Sequence, residues 1–226
     1  MNYMMIIGGF IFFVILYLLY LFFTNNTLTA GLQPLNTPVT YPYDKLVNPG
    51  SNVYCYQGWI YLNSAPASKA TLFQRSGSGT NTTDFAVVLD GQTLKVECSR
   101  GGNGPLTDVM TITDKFPIQK WTYLVVNVNS QRIAEAYING KLTKTVKTDA
   151  LPSSPSTVKT LTLGHSSLSG YATKFTRTAT IMNADEVWSA YLSGNGLNTA
   201  LGYLMPYNIN LAISKDDIIQ RQIRFL

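Results

Sequence analysis

The chain has 226 residues, 46% hydrophobic and only 13% charged, which is enough apolar material for one cored domain with an appendage. Its formal charge of +5 comes from 17 Lys and Arg set against 12 Asp and Glu, and the basic residues are scattered, with no dense run interleaved with aromatics, which argues against nucleic acid as a partner. One His and two widely separated Cys leave zinc without a ligand set, and the Thr, Ser, Asn and Gly content leans toward strands and turns.

No charged side chain precedes Asp44. Residues 4–23, MMIIGGFIFFVILYLLYLFF, are an uninterrupted apolar run. As a helix it would reach about 30 Å, the thickness of a bilayer's hydrocarbon core. A signal peptide would need a basic n-region, a shorter apolar stretch and a small-residue cleavage site, all missing here. Residues 1–23 are therefore expected to be an uncleaved single-pass anchor, with the lipid bilayer as partner of residues 4–23. No Lys or Arg lies close enough to the run to set its orientation. Glycosylation triplets begin at Asn25 and Asn81 and matter only in a secretory lumen.

Residues 24–44 are polar, uncharged and punctuated by Pro34, Pro38 and Pro42. Those prolines forbid a continued helix, so the segment is expected to be an extended stalk or an arm laid against something.

Residues 45–205 carry the main domain. Strand patterns occur at VYCYQGWIYLN, KATLFQR, FAVVL, QTLKVEC, VMTITD, WTYLVVNV, RIAEAYI, KLTKTVK and VKTLTLG. In QTLKVEC, Leu94, Val96 and Cys98 alternate with Thr93, Lys95 and Glu97, as a half-buried strand requires. Asp90-Gly91 and Asn139-Gly140 mark two-residue hairpins. Asn183 followed three residues later by Glu186 forms a capping box, and Val187, Trp188 and Tyr191 fall at helical spacing, so a short helix is expected over residues 184–191. The extension 206–226 reads as a last strand, a helix capped by Ser214 or a partner-binding segment.

Trp121, the alternating strand after it and Tyr137-Ile138-Asn139-Gly140-Lys141-Leu142 resemble the signature of concanavalin A-like, laminin-G-like jelly rolls. Gly58-Trp59-Ile60-Tyr61-Leu62 and Leu72-Phe73-Gln74-Arg75 resemble earlier strands of that family. Leu161-Thr162-Leu163-Gly164 and the stretch from Gly170-Tyr171 through Phe175 to Ala184-Asp185-Glu186-Val187 resemble its closing elements. The resemblance implies an all-β, concanavalin A-like antiparallel sandwich with one short helix, its signature carried by Trp59, Trp121, Tyr137, Asn139, Gly140, Gly164 and Gly170. Polar Thr176-Arg177-Thr178 and the run Thr180-Ile181-Met182 depart from the family's cleaner strand pattern.

The family holds both binding modules and glycoside hydrolases. Its hydrolases carry Glu-x-Asp-x-x-Glu on one strand to flank a sugar bond, and this chain has no such triplet. Asp185-Glu186 suits a helix N-terminus and Asp216-Asp217 lies in the tail, so no catalytic residue is assigned and the chain is read as no enzyme. His165 has neither a nucleophile nor an orienting acid beside it in sequence and reads as a loop residue. No cofactor is assigned; the resemblance implies calcium as the one alternative, through Asp84, Asp108 and Asp114, which otherwise read as solvated turn aspartates. Cys55 and Cys98 read either as a disulfide between neighbouring strands or as buried free thiols.

Two functions follow. An anchored, non-catalytic sandwich is similar to the membrane-anchored minor capsid proteins of large icosahedral DNA viruses, which implies a virion location and neighbouring capsid or membrane-associated proteins as partners. The other reading is a membrane-displayed lectin-like adhesion module whose exposed aromatics stack on glycans.

Overall fold

The computed structural model describes residues 12–17, 27–29, 31–77, 83–99, 105–147, 159–195, 209–215 and 218–225. Fourteen strands are defined: β1 (Gln33–Pro34), β2 (Val39–Tyr41), β3 (Tyr54–Leu62), β4 (Ala70–Gly77), β5 (Thr83–Asp90), β6 (Thr93–Cys98), β7 (Thr107–Thr113), β8 (Thr122–Val128), β9 (Ile133–Ile138), β10 (Lys141–Lys147), β11 (Lys159–Leu163), β12 (Gly170–Thr178), β13 (Ile209–Lys215) and β14 (Ile218–Phe225). One antiparallel sheet has the order β1-β12-β3-β8-β9-β10, and a second has β2-β11-β4-β5-β6-β7. The inner faces meet in one core that includes Tyr56, Ile60, Phe73, Phe85, Val96, Leu124, Val126 and Phe175. The alternation expected of QTLKVEC holds, since Leu94, Val96 and Cys98 all enter this core.

Turn chemistry closes the hairpins. Asn139 and Gly140 have φ values of 50° and 80°, the pair of positive angles a type I′ turn needs between β9 and β10. Asn139 also ties the turn to β8, because its Oδ1 accepts from the Tyr123 N–H at 2.9 Å. Between β5 and β6 the loop residues are Gly91 and Gln92, since Asp90 pairs with Thr93. There only Gly91 has positive φ, at 58°, as in a type II′ turn.

The arm is part of the sandwich. β1 pairs with β12 and β2 with β11, so residues 33–41 edge both sheets in turn. Leu35 between them is fully buried. Of the two expectations for this stretch, a free stalk or an arm laid against something, residues 33–41 follow the second and form a strap. Its prolines suit such a position, because an edge strand has one unpaired side where a missing N–H costs nothing.

The apolar run lies mostly outside the described residues. Its described part, residues 12–17, is helical and exposed. Among the described residues no helix is long and apolar enough to cross a membrane. Asn25 and Asn81 lie outside the described residues, as do Asp216 and Asp217. In the tail, β13 and β14 form a two-stranded sheet of their own, and Ser214 belongs to β13, not to a helix cap.

The expected helix spans Ala184–Leu192 and starts at a complete capping box. The Asn183 Oδ1 accepts from the Glu186 N–H at 2.9 Å, and the Glu186 carboxylate accepts from the Asn183 N–H at 2.8 Å. The helix lies over the outer face of the first sheet, where Val187 packs with Cys55, Trp59, Tyr123, Val125 and Tyr137. This cover is why β3 is buried on both faces along most of its length.

Candidate functional site

A cavity of about 330 Å³ opens on that outer face, between the first sheet, the helix and the arm. Its lining is Thr27 from the arm, Gln57 and Trp59 from β3, Tyr123 from β8, Lys174 and Thr176 from β12, and Ala190 and Ser193 at the helix end. The size falls at the low end of the range for small-molecule sites, roughly 300–1,000 Å³.

Strand register assembles the site. Trp59 stands opposite Tyr123 on β8 and opposite Thr173 on β12, and Gln57 stands opposite Thr176. The Trp59 ring stacks on Tyr191 of the helix at 5.7 Å and lies 5.3 Å from the Tyr123 ring. This aromatic floor is held by a hydrogen bond from the Tyr123 hydroxyl to Gln57 Oε1. Burial raises the Tyr123 pKa, so the phenol keeps its proton and remains a donor.

Lys174 arrives by a bulge. Two residues of β12, Lys174 and Phe175, oppose the single Gly58 of β3. Gly58 has to lack a side chain, because a Cβ there would stand 2.9 Å from Phe175 Cδ2. Phe175 therefore turns into the core, 5.2 Å from Phe73. Lys174 takes φ of 50°, a left-handed conformation that costs a lysine on the order of 1 kcal/mol. Its Nζ reaches across the cavity edge and donates to the Gly194 carbonyl at 2.8 Å, just past the helix C-terminus. Burial lowers its pKa.

Two further features shape the cavity. Thr176 Oγ1 is buried there with no hydrogen-bond partner among the described residues. Among the described residues the lining contains Lys174 as its one cation and no carboxylate. Hydroxyls, an amide and an ammonium around an aromatic floor suit a polar ligand rich in oxygen atoms.

The residues singled out from sequence are distributed differently. Trp59 lies at the site, and Tyr137 shares its apolar support. Trp121 packs beside it against the Tyr61 ring at 5.4 Å, and Asn139 and Gly140 form the turn under the helix. Gly164 and Gly170 bracket the β11–β12 connection next to the arm, each with positive φ. The aspartates do not converge. Asp84 is buried and ion-paired to Arg75, while Asp108 is the second residue of β7 and Asp114 follows its last, about 20 Å apart along an extended strand. Among the described residues no group of three or more His, Cys, Asp or Glu could hold a metal. His165 sits in the β11–β12 loop, its Nδ1 2.7 Å from Ser167 Oγ. Cys55 and Cys98 are free and do not pair, because Cys55 is on the outer face beneath the helix and Cys98 on the inter-sheet face. Gln57, Lys174 and Thr176 were not foreseen from the sequence. The one signal was the polar Thr176-Arg177-Thr178 run that departs from the family pattern.

The fold has many solved counterparts. The binding domain of botulinum neurotoxin DC, solved in complex with rat synaptotagmin II, is 17% identical with a TM-score of 0.53, over 69% of this chain and 39% of that one. The same toxin's binding domain in complex with SialylT is 17% identical with a TM-score of 0.51, over 65% of this chain and 36% of that one. The W1238A mutant described as HCR/D is 12% identical with a TM-score of 0.56, over 72% of this chain and 41% of that one. This chain thus spans about two fifths of the length of each, and the likeness is one of fold. No curated protein matches the sequence. The model of the concanavalin A-like lectin/glucanases superfamily, in its laminin-G form, matches residues 36–193. With that match taking in both sheets and the helix, the chain belongs to the concanavalin A-like lectin/glucanase superfamily.

Proposed function

We propose that the protein is a non-catalytic, lectin-like module, held at a membrane by residues 4–23, which binds a carbohydrate in the groove around Trp59 and Lys174. The carrying observation is the groove itself, where the unpartnered Thr176 hydroxyl, Gln57 and Lys174 surround an aromatic floor. A glycosidase needs two carboxylates about the scissile bond, and the described lining offers none. The fold relative captured with SialylT supports a glycan ligand by analogy of architecture only.

The test is a glycan array probed with the full chain in lipid nanodiscs, followed by titration of each hit. Gln57→Ala and Thr176→Val should each weaken binding about tenfold, the upper effect of one lost hydrogen bond. A protein that binds no glycan, or variants that bind as well as the parent, would overturn the reading.

A second reading is a minor capsid protein tying an internal virion membrane to its shell. Its support is mechanical: the arm that follows the apolar run bonds to β12 and then to β11, so a pull on the N-terminus is shared by both sheets. Cross-linking mass spectrometry on the native membrane-bearing particle tests it. Reproducible links from the domain's lysines to shell proteins are expected, and links confined to the domain itself would reject it.

A further inference from the structure

The groove lies where the chain emerges from its apolar run. Thr27 lines it, and only Thr24, Asn25 and Asn26 separate Thr27 from Phe23, the last residue of the run. Fully extended, that link reaches at most about 14 Å. Thr27 is fixed to the groove by a β-bridge to Thr176. The next residues are fixed too: the Leu28 N–H donates to the Phe175 carbonyl at 2.8 Å, and Thr29 Oγ1 accepts from the Phe175 N–H at 2.9 Å. If residues 4–23 span a bilayer, the groove is held within a headgroup's reach of it.

Among the described residues the groove also lacks a counter-charge. Lys174 Nζ donates to a neutral carbonyl, and no carboxylate joins it in the described lining. The bulge holds this lysine in a left-handed conformation that an unconstrained strand would avoid. Beside it, Thr176 Oγ1 is buried without a partner and can donate to an anionic oxygen. A helix C-terminus attracts a lysine for its own sake, but that interaction explains neither the bulge nor the idle hydroxyl.

We propose that the groove takes the anionic headgroup of a lipid from the same bilayer that holds residues 4–23, with Lys174 on the anionic oxygens and Thr176, Gln57 and Thr27 on the hydroxyls. This rests on the groove-binding reading above and narrows its ligand to one presented by the protein's own membrane. A soluble acidic sugar would share the chemistry, and the experiment separates the two sources.

The full chain is placed in nanodiscs of phosphatidylcholine alone or with one fifth phosphatidylglycerol. The rate at which each lysine is acetylated is then read by peptide mass spectrometry. Lys174 should be protected at least threefold in the anionic discs relative to the neutral ones, while Lys144 on the exposed β10 edge changes in step with the general surface charge. Millimolar glycerol 3-phosphate added to neutral discs should not reproduce the protection. Lys174→Gly removes the ammonium while easing the backbone, and Lys174→Arg keeps the charge. The glycine variant should lose any stabilisation of the domain by anionic lipid, and the arginine variant should retain it.

Equal Lys174 reactivity in both discs overturns the proposal while leaving the soluble-glycan reading to its array. Full protection by free glycerol 3-phosphate also overturns it and assigns the site to a soluble anion. Failure of the chain to enter discs of either kind removes the anchor, and the proposal with it.

Discussion

Arg75 Nε donates to Asp84 Oδ1 at 2.9 Å between two side chains that are each 1% exposed. Asp84 reaches inward through a β-bulge, since β5 carries it as an extra residue between the pairs Arg75–Phe85 and Ser76–Thr83. The Tyr54 ring packs 4.8 Å from the same guanidinium, with Arg177 5.8 Å from it. Burial works against the charge on Arg75, but Tyr54, Tyr56 and Asp84 outweigh it and raise its pKa.

Asp84→Asn should therefore destabilise the domain by about 3–5 kcal/mol, because it leaves a buried guanidinium without its counter-charge. Urea unfolding followed by far-UV circular dichroism measures this as a lower midpoint. The Asp84→Leu/Arg75→Met double variant should recover much of the loss, since an apolar pair of similar volume is often as stable as a buried ion pair. Calcium should rescue neither.

The turn under the helix gives the second prediction. A Cβ added at Gly140 would stand 2.5 Å from Trp188 Cε3 and 3.2 Å from Tyr191 Cδ1, at a φ of 80°. Gly140→Ala should cost about 1–3 kcal/mol in backbone strain, with displacement of the helix in addition. Differential scanning calorimetry should show a lower Tm and tryptophan emission should move to the red. An unchanged Tm would mean that the helix does not seat on this turn.

What could be read from sequence was whatever a few adjacent residues decide. Asn139-Gly140 demands positive φ at both positions, and Asn183 with Glu186 makes a cap within one turn, so the hairpin and the helix were legible. Lys174 and Asp84 were not, because each is aimed by a bulge, and a bulge exists only relative to the partner strand. Arg75 ends the sequence pattern KATLFQR beside a polar stretch and looks exposed until Tyr54, from a strand of the other sheet, closes over it. The arm was legible only in part for a related reason: its prolines exclude a helix and allow an arm laid against something, but they do not reveal that two different sheets are waiting for edge strands.

The capping box supplies a third test. With Asn183→Ala the Glu186 N–H loses its acceptor at the helix N-terminus. The expected cost is about 1 kcal/mol, and Asn183→Ser, which can still cap, should lose much less. The helix carries Ala190 and Ser193 to the groove, so ligand affinity should fall with the alanine variant more than with the serine one. Equal affinity in the two would mean that the groove does not depend on the first turn of the helix.

Alkaline pH tests the burial of the interior acids. Burial pushes the Cys55 and Cys98 thiols from 9.0 up to about 12. Burial, with the Glu135 carboxylate beside it, pushes the Tyr137 phenol from 10.0 up to about 12 as well. Tyr54 and Tyr123 are raised by burial in the same direction. Each of these groups keeps its proton in the folded chain at a pH where the unfolded chain has released it, so between pH 9 and 12 the folded state binds more protons. The stability they contribute is complete below about pH 9 and is lost as the pH rises through the folded values. Thermal unfolding followed from pH 7 to 11.5 should therefore show a nearly level Tm up to about pH 9 and then a steepening fall. At pH 8 in the native state neither cysteine should react with Ellman's reagent on the timescale of minutes, because burial shields both and the thiolate is the nucleophile; in urea both should react at once. Rapid labelling of Cys55 in the native protein would show that the helix lifts from the sheet, which would open the floor of the groove as well.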